Sequence, residues 1–193
     1  METFKHKTLG TLTQCDYFGE LRWEGDIELP AFSSFRFTRN GRSRRSKKVP
    51  FAIYCDDRPS ASALKMLLNI RKSQKQLVKN ICVTFFDDLR QQGYDDSGRH
   101  TGHGMWWSRD PVTVALSCRE VLLKRLKRDR MWEPDDLFAV LYEPTIEIYP
   151  STEDSKGNPR TLIDMAAEFE DEHGVSVLTD GKHVLNLGYS GEA

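Results

Sequence analysis

Four carboxylates and an imidazole fall within six residues, at Glu168, Glu170, Asp171, Glu172 and His173. A carboxylate beside an imidazole can run acid–base chemistry, and several such groups together can hold a divalent metal. On a hydrolytic reading Glu172 is the general base and His173 an acid or a metal ligand. The run brings no nucleophile, no phosphate-binding loop and no completed ligand set, and an active site needs such groups to converge. Further ligands would have to come from His100 and His103, at a His-x-x-His interval inside the glycine-rich stretch from Gly93 to Trp107. That spacing lacks the glutamate of the metalloprotease helix signature, and the glycines oppose a helix that would align the two rings. A metal-dependent hydrolase using His100, His103 and His173 is therefore the second reading, and the leading reading needs no cofactor.

The first reading is binding. If the chain stayed extended, Glu168, Glu170 and Glu172 would share one strand face and repel unless paired. His173, held by Asp171 or Glu172, would favour its charged form. The run then reads as a charged turn between two strands whose surplus charge is open to a partner. Trp106 and Trp107 join it as candidate contacts, since adjacent indoles at a loop end plug a core or form a contact surface.

A third set is basic. Six of the ten residues from Arg39 to Lys48 are cationic, which demands exposure. Arg42, Arg44, Arg45, Lys47 and Lys48 could hold phosphates, because such side chains supply most non-specific nucleic-acid affinity. The segment has no interleaved aromatic for base stacking, and the chain as a whole is not basic. A solvated hairpin loop is the favoured account, and nucleic-acid contact the weaker one.

The formal charge of -1 hides an asymmetry, about ten net positive charges over residues 1–132 and about eleven net negative over the rest. Either the two parts neutralise each other in the fold, or an acidic face is kept for a basic protein partner. With 38% hydrophobic and 30% charged residues among 193, the chain has the make-up of a folding globular domain. No apolar run approaches the roughly 18 residues that span a bilayer, and the first residues lack a signal peptide's apolar stretch, so no membrane and a cytoplasmic location are expected. Cys15, Cys55, Cys82 and Cys118 are widely spaced and read as reduced thiols.

These residues need elements to position them. Leu21, Trp23, Ile27 and Leu29 alternate with charged neighbours and suit a hairpin closed at Gly25. Phe32, Phe35 and Phe37 continue the β-rich pattern, and Val49, Phe51, Ile53 and Cys55 make a strand ending at Asp56–Pro59. From Ser60, where Ser60 or Ser62 can cap a helix, Leu64, Leu67, Ile70, Leu77, Ile81, Phe85 and Leu89 recur at helical spacing up to Gly93, as one long helix or two with a break near Ser73. A second helix is predicted from Val112 to Arg128 and a short third one from Glu133. Strand patterns return at Thr145–Tyr149, Leu162–Phe169, Val175–Leu178 and His183–Leu187, with Asp180-Gly181 as a type I′ hairpin signal.

The fold class expected is α+β: an antiparallel sheet built from N-terminal and C-terminal meanders, packed against one long central helix and one or two shorter helices. One domain over residues 1–193 is expected, with a meander over 8–57, a helical middle over 60–141 and a second meander over 143–189.

The stretch Asp171-Glu172-His173-Gly174-Val175, followed by Asp180-Gly181-Lys182 and Val184 to Tyr189, resembles the C-terminal signature of an uncharacterised bacterial domain family. There the turn reads Trp-Asp-Glu-Glu-His-Gly-Leu-Gly-Val. The segment from Leu21 to Pro30 is similar to that family's opening hairpin. Phe169 stands for the tryptophan and Ser176 for the second glycine, so the chain resembles a divergent member. The resemblance implies an immunity-like protein-binding role beside bacterial toxin systems, and it brings no catalytic residues.

Overall fold

The computed structural model describes residues 2–39, 42–90, 133–167 and 170–189. It is a mixed α and β structure, an eight-stranded and mostly antiparallel sheet with one long helix and a few short elements. In chain order the strands are β1 (Thr3–His6), β2 (Gly10–Tyr17), β3 (Glu20–Glu28), β4 (Phe37–Arg39), β5 (Arg42–Arg44) and β6 (Lys48–Tyr54). After helix α1 (Ala61–Arg90) come β7 (Leu141–Glu153), β8 (Pro159–Ala167), β9 (Glu170–Thr179) and β10 (Val184–Tyr189). The sheet runs β1-β2-β3-β6-β7-β8-β9-β10, and β4 with β5 forms a separate ribbon.

The two expected meanders are halves of one sheet. They meet where β6 pairs with β7, with Phe51 opposite Ile146 and Ile53 opposite Ile148, and that seam is parallel rather than antiparallel. The reason is topological: the chain between these strands passes through α1, and a crossover connection returns the strand in the same direction.

Alternation sets the two faces of the sheet. Trp23, Gly25 and Ile27 lie opposite Ile53, Phe51 and Val49, and register carries the same face onto Ile146, Ile148 and Ile163. Apart from Gly25, all of these are buried. Helix α1 contributes Ala63, Met66, Leu67, Ile70, Leu77, Val78, Ile81, Cys82, Phe85 and Phe86 to the same core, an i, i+3, i+4 stripe stabilised by that burial. Ser60 Oγ accepts the Ala63 amide at 3.2 Å and caps its start. The helix is unbroken at Ser73. The apolar stripe lapses there because Gln74 takes the core-side position, where its Oε1 accepts the Ala31 amide at 2.8 Å.

Three other expectations change. Gly25 does not close a hairpin; β3 runs through it, and a Cβ there would lie 2.8 Å from Phe51 Cζ, so the glycine makes room for a ring on the neighbouring strand. The turn falls instead at Phe18-Gly19, between paired Tyr17 and Glu20. Phe32 sits in a 3-10 turn, Pro30–Ser34, rather than a strand. The short third helix is a 3-10 turn, Pro134–Ala139, with Glu133 and Asp136 in a reciprocal capping box. The predicted helix from Val112 to Arg128 lies outside the described residues.

At the C-terminus Asp180-Gly181 does mark a hairpin, but as the start of a four-residue connection, since Val184 pairs with Thr179. Asp180 Oδ1 accepts the Lys182 and His183 amides at 2.9 and 2.7 Å, so the aspartate closes an Asx-type turn rather than occupying a left-handed position. No helix of the described residues is long and apolar enough to cross a membrane.

Candidate functional site

The sheet face opposite the core carries the polar chemistry. Pairing aligns Cys15 with Arg22 and Arg22 with Tyr54 across β2, β3 and β6, and Tyr149 with Arg160 across β7 and β8. The seam brings the two tyrosines together. Their rings stack at 4.6 Å between centroids and 7° between planes. The Arg22 guanidinium lies 3.8 Å from the Tyr17 ring centroid and 5.7 Å from that of Tyr54, and Arg160 lies 5.8 Å from Tyr149. Stacked rings of this kind contribute about 0.5–1.5 kcal/mol beyond area burial, and each cation–π contact about 0.5–1 kcal/mol.

One carboxylate ties the row together. Glu147 accepts the Tyr149 hydroxyl at 2.6 Å and the Tyr54 hydroxyl at 3.2 Å, while Arg22 donates to Tyr54 Oη at 3.1 Å and to Glu24 at 2.7 Å. Burial and the Glu147 charge raise the Tyr54 pKa despite Arg22. Burial and the hydrogen bond to Glu147 push Tyr149 well above the ordinary phenol range. Both phenols therefore stay protonated near neutral pH, where they are donors and ring surfaces rather than bases or nucleophiles. The thiols behave alike. Burial raises Cys15 and Cys55, and Cys82 is pushed up to about 12.

Beside this row opens a recess of about 520 Å³, lined by Gly19, Glu20 and Leu21 from the β2–β3 turn, Tyr54 to Asp57 from the end of β6, and Tyr149 and Ser151 from β7. Its rim is built by hydrogen bonds to the backbone. Gln14 Nε2 donates to the Asp56 carbonyl and Trp23 Nε1 to the Asp57 carbonyl, both at 2.8 Å. With their carbonyls tied inward, Asp56 and Asp57 are exposed, as is Glu20. Among the described residues the carboxylates of Glu20, Asp56 and Asp57 have neither a hydrogen bond nor an ion pair.

The recess runs into an apolar tip. Tyr17, Phe18 and Leu21 are 46%, 92% and 37% exposed, and Phe18 packs edge-on against Tyr17 at 4.7 Å.

The residues expected from sequence are placed differently. His100, His103, Trp106, Trp107 and Glu168 lie outside the described residues, as do the side chains of Glu170, Asp171 and Glu172. The backbone of 170–173 belongs to β9, so this part of the run is strand rather than turn. Between the pairs Met165–Val175 and Ala167–Glu170 one strand advances two residues and the other five. Regular alternation therefore does not carry a shared face through that bulge. Gly174 is required there: its φ is +72°, and a Cβ would approach the Met165 carbonyl oxygen to 2.9 Å. His173 is exposed. Among the described residues no three His, Cys, Asp or Glu side chains are placed to hold a metal. The basic segment forms the β4–β5 ribbon and its exit, with Arg44, Arg45, Lys47 and Lys48 exposed.

The recess was missed in the sequence because its carboxylates come from two separate turns that only register brings together. In the sequence, Asp56-Asp57 reads simply as the end of a strand. No protein-family model, no curated protein and no solved structure matches the chain.

Proposed function

We propose that this chain is a protein-binding module, immunity-like in role, that engages a basic partner. The observation that supports it is the acidic recess, where three carboxylates without partners among the described residues rim a cavity with an aromatic wall. Like charges held together repel, and that repulsion is relieved when a cationic group docks. The wall is already ordered by stacking and by the Glu147 bridge, so binding there costs little side-chain entropy.

This reading moves the acidic surface from where sequence put it. Residues 170–173 begin β9 beside Ala167, which pairs with Leu141 at the start of β7, whereas the recess lies at the far end, near Tyr149 and Ser151. Lys48 and the ribbon share the start-of-β7 end, because β6 and β7 are parallel. The ribbon and the start of β9 thus share one end of the sheet, and the recess lies at the other.

The test compares two double charge reversals against a verified partner. Asp56→Lys with Asp57→Lys is expected to weaken the complex at least about tenfold, or about 1.4 kcal/mol, and to reduce its salt dependence. Glu170→Lys with Glu172→Lys is expected to change it less. Equal affinity for wild type and both folded variants would reject an acidic docking surface.

A further inference from the structure

The turn between β2 and β3 is a two-residue loop, since Tyr17 and Glu20 are the last paired positions. Both loop residues have positive φ, 54° at Phe18 and 89° at Gly19, which is type I′ geometry. The first position of such a turn favours Asn, Asp or Gly. A bulky aromatic there is strained, because in left-handed backbone its Cβ comes too close to the following carbonyl oxygen. Phe18 recovers little of that within the described fold, because it is 92% exposed and its ring contact is with its neighbour Tyr17. The loop is otherwise well made: Asp16 Oδ1 accepts the Gly19 amide at 2.8 Å. Phe18 therefore combines local backbone strain with an unburied aromatic ring, a cost that the described fold does not offset.

We infer that Phe18 is the anchor by which the chain docks its partner, inserting into an apolar pocket on a protein whose pocket rim is lined with Lys or Arg. The inference rests on the protein-binding reading above and names the element that makes first-order contact. Charge complementarity selects the occupant. Glu20, Asp56 and Asp57 line the recess together with Gly19 and Leu21 of the same turn, and Asp16 stands at the foot of the turn; Arg22, the cation over the Tyr17 ring, is paired with Glu24. A ring entering a pocket beside these carboxylates places its partner's rim over them. A second copy of this chain would set one acidic tip against another in a two-fold contact, and an anionic bilayer would meet the same repulsion.

The experiment has three arms on the full chain. Benzoylphenylalanine replaces Phe18 and is photoactivated in cells, the crosslinked protein is identified, and its affinity for wild type, Phe18→Asn and Phe18→Leu is measured. Melting curves are recorded for each variant, and sedimentation with phosphatidylcholine–phosphatidylserine vesicles is run alongside. The expected result is a crosslinked protein with a basic surface whose affinity falls at least tenfold for Phe18→Asn and less for Phe18→Leu, while Phe18→Asn raises the melting temperature. Unchanged affinity for Phe18→Asn toward a partner still weakened by Asp56→Lys with Asp57→Lys overturns the anchor and leaves the protein-binding reading standing. Crosslinking to a second copy of the chain, crosslinking to no protein, or vesicle binding lost with Phe18 also overturns it.

Discussion

Trp23 joins the core to the candidate surface through a single side chain. Its ring is fully buried on the helix side of the sheet, and its Nε1 reaches the Asp57 carbonyl at 2.8 Å. A Trp23→Phe substitution keeps most of the packing and removes the bond. The expected loss is about 1–3 kcal/mol, from the unmade hydrogen bond and a small void, read by denaturant melts. Amide exchange at Asp56, Asp57 and Arg58 should quicken more than in β9; equal change in both would mean that the indole does not hold the rim. At this scale the sequence was legible where one residue decides. Trp23 was readable as an inward position from its alternation with charged neighbours. Gly25 misled because a glycine among charged residues looks like a turn, and only the Phe51 ring on the next strand explains it.

The β9–β10 hairpin is the element whose local chemistry is most complete. Burial raises the pKa of Asp180, but hydrogen bonds from the His183 ring and from the His183 and Lys182 amides outweigh it and hold the carboxyl below its ordinary value. A carboxyl depressed in the folded state stabilises above its unfolded pKa, and that contribution fades as pH falls through the folded value. Asp180→Ala should therefore lower stability by about 1 kcal/mol at pH 7. In paired melts the gap to wild type should narrow steadily below pH 4, and a gap that stays constant down to pH 2 would contradict the linkage. Element type was the most legible property of this chain. The alternation of Val49, Phe51 and Ile53, the helical spacing of Leu67, Ile70, Leu77 and Ile81, and the Asp180-Gly181 signal each identified their element. Turn geometry was not legible, because Asp180 works through side-chain acceptance rather than a left-handed backbone.

At the scale of the molecule, the described sheet sets the basic ribbon and the acidic recess at opposite ends of its strands. The sequence separated a basic first part from an acidic last part, whereas the sheet interleaves them. The cations of the ribbon and the start of β9 share one end, while the acids of the recess come from the nominally basic first part. Counting along the chain could not reveal this, since the parallel register of β6 and β7 decides which end each residue occupies.

That seam also governs when the surface exists. It has three registered pairs, against seven between β3 and β6, and it joins residues far apart in the chain, so its loop-closure entropy must be met before its contacts form. Tyr54 and Tyr149 face each other across it, and Glu147 bridges them only when it is shut. Each meander can pair locally before the seam closes, so refolding monitored by partner binding should lag behind refolding monitored by strand signal in circular dichroism; coincident phases would refute that order. Recognition would then double as a checkpoint on maturation, because a half-assembled chain presents no recess and is silent to its partner.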